Sequence, residues 1–92
     1  MIDEATSVVN MRYNKADVNC GRGSFFGNPY KIGVDGTRDE VCDKYATLFR
    51  KRLQDPTFRA KVLLLKGRKL GCWCKPLRCH VDTIKSYLDN ET

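Results

Sequence analysis

Long hydrophobic runs are missing from this chain of 92 residues. The longest uninterrupted apolar run is Val62–Leu65, whereas a membrane-spanning helix needs about 20 apolar residues. The first residues also lack the charged-then-apolar layout of a secretion signal. We therefore expect a cytoplasmic protein with no membrane partner. Repeats, low-complexity tracts and linkers are missing too, so residues 1–92 are interpreted as a single domain.

Histidine is almost missing, because His80 is the only one in the sequence. A zinc-dependent nucleobase deaminase needs an H-x-E motif, and Asp82 stands where that motif has glutamate. The sequence therefore predicts that the chain is not such a deaminase.

Acidic residues are scarce between positions 50 and 78. This stretch holds ten of the seventeen Lys and Arg residues, and Asp55 is its only acid, while the whole chain carries a net charge of +6. A one-sided positive field favours a polyanionic partner such as nucleic acid. A solvated helix face that keeps the protein soluble explains the same charges equally well.

Two main strands and three helices are predicted from residue patterns. Residues 6–11 are rich in β-branched side chains and predict the first strand, and a glycine-punctuated loop over 14–32 follows, with a short strand near Val18. Thr37 and Glu40 form a capping-box pattern that begins a helix over 38–54.

The second half of the chain continues the alternation. Asp55–Pro56 predicts the start of a second helix that ends at Gly67, residues 68–74 predict a strand, and Pro76 predicts the start of the last helix. Strands joined through helices favour a parallel pair with a right-handed crossover. The predicted fold is a small α/β domain with a short parallel sheet and about three helices, stabilised by zinc.

Parallel strands would bring two distant parts of the chain together. In such sheets ligands bind beyond the carboxyl ends of the strands. The first strand would deliver Asn10 and Arg12 to that edge, and the later strand would deliver Cys72 and Cys74. Antiparallel pairing would separate them.

A Cys/His cluster is the most specific feature of the sequence. Three of the five cysteines, Cys72, Cys74 and Cys79, stand beside His80. The odd number and the expected reducing compartment disfavour disulfides. Thiolates and imidazole are the ligands that zinc prefers, so these four residues are the predicted zinc ligands.

The spacing of this cluster leaves alternatives open. Adjacent residues on a helix diverge by about 100°, which makes it awkward for Cys79 and His80 to bind one ion, so Cys20 or Cys42 could replace one ligand. The cluster could also consist of small buried thiols without metal. A third alternative is catalytic, since Cys79 at the start of a helix and near cations would favour a reactive thiolate.

A glycine loop, Gly21–Tyr30, is the second constellation. Closely spaced glycines let backbone N–H groups approach an anion, and an arginine can pair with a phosphate. The candidate ligand-binding residues here are Arg22, Gly23, Ser24 and Asn28, which Thr37, Arg38, Asn10 and Arg12 could join. The loop is not a P-loop. A sharp surface turn with Phe25, Phe26 and Tyr30 folded into the core is the alternative.

Four spaced segments of the chain are distinctive: VVNMRYNK, GRGSFFGNPY, DGTRDEV and LKGRKLGCWCKPLRCHVDTI. Together, over residues 7–88, they resemble the family called domain of unknown function 4326. That family occurs in bacteriophages and bacteria, and its name implies no assigned activity. The resemblance implies a phage-type protein acting in the host cytoplasm. The family-type positions are Asn10, Arg12, Arg22, Gly23, Gly27, Asn28, Pro29, Thr37, Arg38, Cys72, Trp73, Cys74, Pro76, Cys79 and His80.

Three functions remain open from the sequence. The first is a zinc-stabilised module that binds the phosphate of a nucleotide or nucleic acid. The second is a small enzyme acting on a nucleotide or nucleobase through metal-bound water or Cys79. The third is a phage inhibitor that docks on an acidic host protein. The oligomeric state is not predicted.

Overall fold

Three short parallel strands form the sheet. In a computed structural model of the chain, which describes residues 6–21 and 23–90, β1 spans Ser7–Asn10, β2 spans Val18–Asn19 and β3 spans Lys69–Cys72. The central strand is β3, which pairs in parallel with β1 on one side and β2 on the other. The parallel sheet is therefore confirmed, and the segment near Val18 supplies its third strand.

The connection between β1 and β2 crosses one face of the sheet. Residues 11–17 pass over β3 at Gly71, where an added Cβ would lie 2.5 Å from the Met11 sulfur and 2.8 Å from the Ala16 Cβ. Gly71 is buried in the middle of the central strand. The crossing is possible because this position carries no side chain.

Two helices follow the glycine loop. Helix α1 spans Arg38–Arg52 and begins with the predicted capping box of Thr37 and Glu40, and α2 spans Pro56–Leu63 with Asp55 as its N-cap. Both helices end earlier than the predicted residues 54 and Gly67. Turns replace the last predicted residues, with Leu65 N–H donating to the Val62 carbonyl at 2.9 Å.

The last helix, α3, spans Val81–Asn90. The prediction that it begins at Pro76 is wrong, because Pro76 lies in a turn closed by the Leu77 N–H and the Cys74 carbonyl at 2.8 Å. Cys79 and His80 consequently precede the helix rather than forming its first turn. The Asp82 carboxylate accepts from the Cys79 N–H at 3.1 Å and caps this start.

The core lies between the sheet and the helices, with α3 packed on β1 and β3 and α1 packed on α3. The helices turn their apolar positions inward. Their buried members are Val41, Tyr45, Phe49, Phe58, Val62, Val81, Ile84 and Leu88. Within the described ranges, no helix combines the length and apolarity that crossing a membrane requires.

Candidate phosphate and thiol site

The carboxyl ends of the strands meet at one edge of the sheet, where side chains tie the segments together. Asn10, the last residue of β1, donates its Nδ2 to the Lys75 carbonyl oxygen at 2.8 Å, and its Oδ1 accepts from the Arg12 N–H at 2.9 Å. The Asn19 Oδ1 accepts from the Gly21 N–H at 2.8 Å. Asn10 therefore joins the end of β1 to the segment after β3, as parallel pairing predicts.

The glycine loop is held to α1 by buried polar contacts. The Tyr45 hydroxyl donates to the Phe26 carbonyl at 2.8 Å, and the Asn28 Nδ2 donates to the Val41 carbonyl at 3.2 Å. The Asn28 Oδ1 in turn accepts from the Tyr30 N–H at 2.9 Å. Asn28 is buried, so its side chain fixes the shape of the loop from inside.

The loop itself makes a tight turn. Ser24 Oγ donates to the Gly21 carbonyl at 2.6 Å, and an added Cβ at Gly27 would lie 2.8 Å from that same carbonyl oxygen and 3.0 Å from the Gly23 nitrogen. Gly27 thus permits a backbone approach that a side chain would block. The Trp73 indole packs against Gly21, 3.1 Å from where its Cβ would stand.

A depression of about 390 Å³ opens beside this turn. Its lining consists of Gly23, Ser24, Phe25, Gly27, Asn28, Pro29, Lys31 and Arg52. Two of these side chains are cationic and none is acidic. Sequence reasoning did not single out Lys31 or Arg52, although Arg52 belongs to the basic stretch over 50–78. Arg22 lies outside the described residues.

Thr37 and Arg38 lie elsewhere. Thr37 caps α1, and the Arg38 guanidinium donates to the Arg78 carbonyl at 3.2 Å. Arg78 itself pairs with Asp39 at 3.1 Å and Asp43 at 2.8 Å, which fastens the segment before α3 to α1. Thr37 and Arg38 line a separate depression with Ile32, Gly33, Val34, Gly36 and Glu40.

Four cysteines at or after the carboxyl ends of β2 and β3 form what we call the thiol cluster: Cys20, Cys72, Cys74 and Cys79. Cys20, Cys72 and Cys79 are buried, and Cys74 is half-buried. His80 Nε2 lies 2.8 Å from the Cys20 carbonyl oxygen, which can only accept, so Nε2 carries a proton. The other ring nitrogen, Nδ1, then faces the Cys79 sulfur at 3.6 Å. His80 thereby links the start of the glycine loop to the thiols.

Burial favours the protonated form of two of these thiols, Cys20 and Cys79. Loss of solvation raises the pKa of Cys20 to about 11, helped by the neighbouring Cys72, and raises the pKa of Cys79 further. The Val81 N–H at the start of α3 acts in the opposite direction on the pKa of Cys79 but is outweighed. This burial disfavours the thiolate form of Cys79, which is the form that nucleophilic catalysis requires.

The four predicted metal ligands are close in sequence but are not arranged around one point. Among residues 6–21 and 23–90, no group of three or more His, Cys, Asp or Glu side chains is positioned to hold a metal ion. The Cys42 sulfur lies 3.9 Å from the Arg78 carbonyl oxygen. Zinc therefore stays a prediction.

The fold and the site together define a small α/β domain in which a glycine loop and a thiol cluster share the carboxyl edge of a parallel sheet. The family model described as "Domain of unknown function (DUF4326)" matches residues 6–90, and the chain belongs to this family. The resemblance inferred from the motifs is confirmed.

A relative from Enterobacteria phage T4 shares this ancestry. It is described as "Uncharacterized 12.4 kDa protein in nrdA-td intergenic region" and is 38% identical over 79 residues, which cover 84% of this chain and 71% of the relative. No solved structure gives a significant match.

Proposed function

We propose that this protein binds a phosphate group of a nucleotide or nucleic acid in the depression beside the glycine loop. The observation that carries the proposal is the composition of its lining, which combines residues of the turn Gly23–Gly27 with Lys31 and Arg52 and includes no carboxylate. The Ser24 and Gly27 N–H groups donate to carbonyls within the turn, so the two cations are the main donors to a phosphate here. Within the described ranges neither cation forms an ion pair.

The proposal is tested by removing one charge at a time. Trp73 is the only tryptophan, is 58% exposed and packs on Gly21, so its fluorescence reports on the loop. We expect Arg52→Gln to weaken binding of a nucleoside triphosphate roughly 10-fold or more, because a charge-assisted hydrogen bond is lost.

Arg50→Gln is the matched control. Arg50 lies on the same helix and carries the same charge, but it lines the groove between α1 and α3. The control should bind nearly as well as the unmodified protein. Equal weakening by both substitutions would mean that only net charge matters and would refute a specific site.

We also propose zinc as an occupant of the thiol cluster. The supporting observation is the orientation of His80, whose Nε2 is held by the Cys20 carbonyl while Nδ1 points to the Cys79 sulfur. Metal-binding histidines are commonly oriented by such a second contact. Binding would require the four side chains to rearrange around one ion and the ligating thiols to lose their protons.

Elemental analysis of protein purified without chelators tests this second proposal. About one zinc per chain is expected, lost in Cys79→Ser and His80→Asn and retained in Cys42→Ser. Zinc near zero in the unmodified protein would refute it and leave the phosphate proposal untouched. Because the T4 relative is phage-encoded, we propose that this protein acts in the cytoplasm of an infected host.

A further inference from the structure

We propose, on the basis of the phosphate site above, that its ligand is a single-stranded nucleic acid which continues past the glycine loop and stacks a base on Phe25. The inference names the class of ligand, and it can fail while the phosphate site itself stands. It derives from a second depression that adjoins the first.

The two depressions share part of their lining. The second has a volume of about 490 Å³ and is lined by Phe25, Arg52, Asp55, Thr57, Phe58 and Lys61. Phe25 and Arg52 belong to both linings. A mononucleotide has one phosphate-bearing unit to place, whereas two adjoining cavities that share a cation and an aromatic ring suit a repeating chain.

Phe25 is held in place yet open to solvent. Its side chain is 55% exposed, although its ring packs edge-on against Phe26 at 5.0 Å and tilted against Phe58 at 5.8 Å between centroids. Phe26 and Phe58 are buried members of the core. A ring anchored on two core aromatics with half its surface free is a ready stacking platform, because every nucleobase offers a flat π face.

One cation lies over the Phe25 ring and a second lies over the neighbouring Phe58 ring, and a stacking base would displace the flexible Lys61 side chain from the face of Phe25. Lys61 Nζ lies 4.7 Å from the Phe25 centroid, and the Arg52 guanidinium lies 5.9 Å from the Phe58 centroid. Asp55 is the one acid in the lining, and its carboxylate accepts from the Thr57 N–H at 2.9 Å as the cap of α2. The lining therefore offers cations to a phosphate backbone, and its single carboxylate is engaged with its own helix.

Base stacking selects for unpaired strands. In a duplex the faces of the bases are stacked on one another, so an isolated aromatic ring at the protein surface finds a partner only on a single strand. Proteins that bind single strands without strong sequence preference combine such rings with a basic groove. Phe25 with Lys31, Arg52 and Lys61 reproduces this combination on a small scale.

Fluorescence anisotropy with labelled oligonucleotides tests the inference. An oligothymidylate of about eight nucleotides, its RNA counterpart, a duplex of the same length and a mononucleotide are compared. The single strands should bind most tightly, and Phe25→Ala should weaken them roughly 5- to 100-fold, as expected for loss of one stacking contact. Phe25→Ala should weaken the mononucleotide less than the single strands, since its phosphate contacts with the cations remain.

Control variants separate base stacking from the general effect of removing an exposed aromatic side chain. Tyr13→Ala removes another exposed aromatic, 75% exposed and absent from both linings, and should not change binding. Phe25→Tyr keeps the ring and should retain affinity, while Phe25→Leu keeps apolar packing and should lose it. Lys61→Gln should reduce the slope of log affinity against log salt by about 0.7.

The outcomes distinguish the two proposals. The single-strand inference would be overturned if the mononucleotide and the oligonucleotide bound with equal affinity and Phe25→Ala left the oligonucleotide affinity unchanged. The phosphate site would still stand. A preference for the duplex would also overturn it. Failure of every nucleotide to bind folded protein would overturn both proposals. Comparing the affinities for the DNA and RNA oligonucleotides then identifies which nucleic acid is the preferred ligand.

Discussion

At the scale of single residues, Gly71 shows how one position determines the topology. It sits at the centre of the sheet, where it pairs with Val9 of β1 and Asn19 of β2. The connection from β1 to β2 crosses directly over it, with Met11 and Ala16 closer to the absent Cβ than any real contact allows. The close approach of this connection to β3 therefore depends on the missing side chain at this position.

Gly71→Ala should consequently destabilise the protein by about 1–3 kcal/mol, the usual cost of overpacking. The added methyl group must displace the Met11 side chain or push the connection off the sheet. Urea unfolding followed by circular dichroism measures the loss. Met11→Ala in the same chain should recover part of it, because the closest clashing atoms are then removed. A neutral Gly71→Ala would contradict the observed crossing.

At the scale of elements, the sequence predicted helices where local chemistry decides them. The capping box at Thr37 and the Asp55–Pro56 start were both found, because an N-cap needs only nearby residues. The predicted helix start at Pro76 was wrong for the complementary reason. Proline suits a first helical turn and a tight turn equally well, and the Cys74–Leu77 contact that selects the tight turn is not visible in a propensity.

The start of α1 gives a prediction with a pH dependence. Thr37→Ala should cost about 1 kcal/mol, since the Thr37 hydroxyl accepts from the Glu40 N–H. The Thr37 N–H donates to the Glu40 carboxylate at 2.9 Å, and this bond lowers the pKa of Glu40 below its ordinary value. The contribution of Glu40 is therefore present above its ordinary pKa and disappears as pH falls through the lowered one.

Thermal unfolding between neutral and acid pH tests this linkage. The unmodified protein should lose stability at acid pH more steeply than Glu40→Gln, which has no carboxylate to protonate. Glu4 and Glu91 lie outside the described residues, so the comparison is made between the two proteins rather than against an absolute curve. Parallel curves would show that the Glu40 bond contributes nothing to folding.

At the scale of the whole molecule, the sequence predicted which regions meet but not which cations face the loop. The rule for parallel strands correctly joined Asn10 to the segment after Cys72, across more than sixty positions. Lys31 and Arg52 could not be assigned in this way, because their positions depend on how α1 packs beside the loop. Arg38 shows the same limit, as its guanidinium is turned toward the Arg78 carbonyl.

The same packing predicts an order of thiol reactivity. All five cysteines are free, and Cys74 is the only one that is not buried. In native protein with chelator present, iodoacetamide near pH 8 should modify Cys74 first, because the others are shielded and burial raises the pKa of Cys20 to about 11. Mass spectrometry of peptides after timed quenching measures the order.

Denatured protein should show all five cysteines reacting at similar rates, and Cys74→Ser should remove the fast phase from the native time course. Opening of the domain would then limit the remaining reactions, so the slow rates should rise together as urea is added. Rapid native labelling of Cys72 or Cys79 would mean that the carboxyl edge of the sheet opens far more often than its buried hydrogen bonds and core contacts predict.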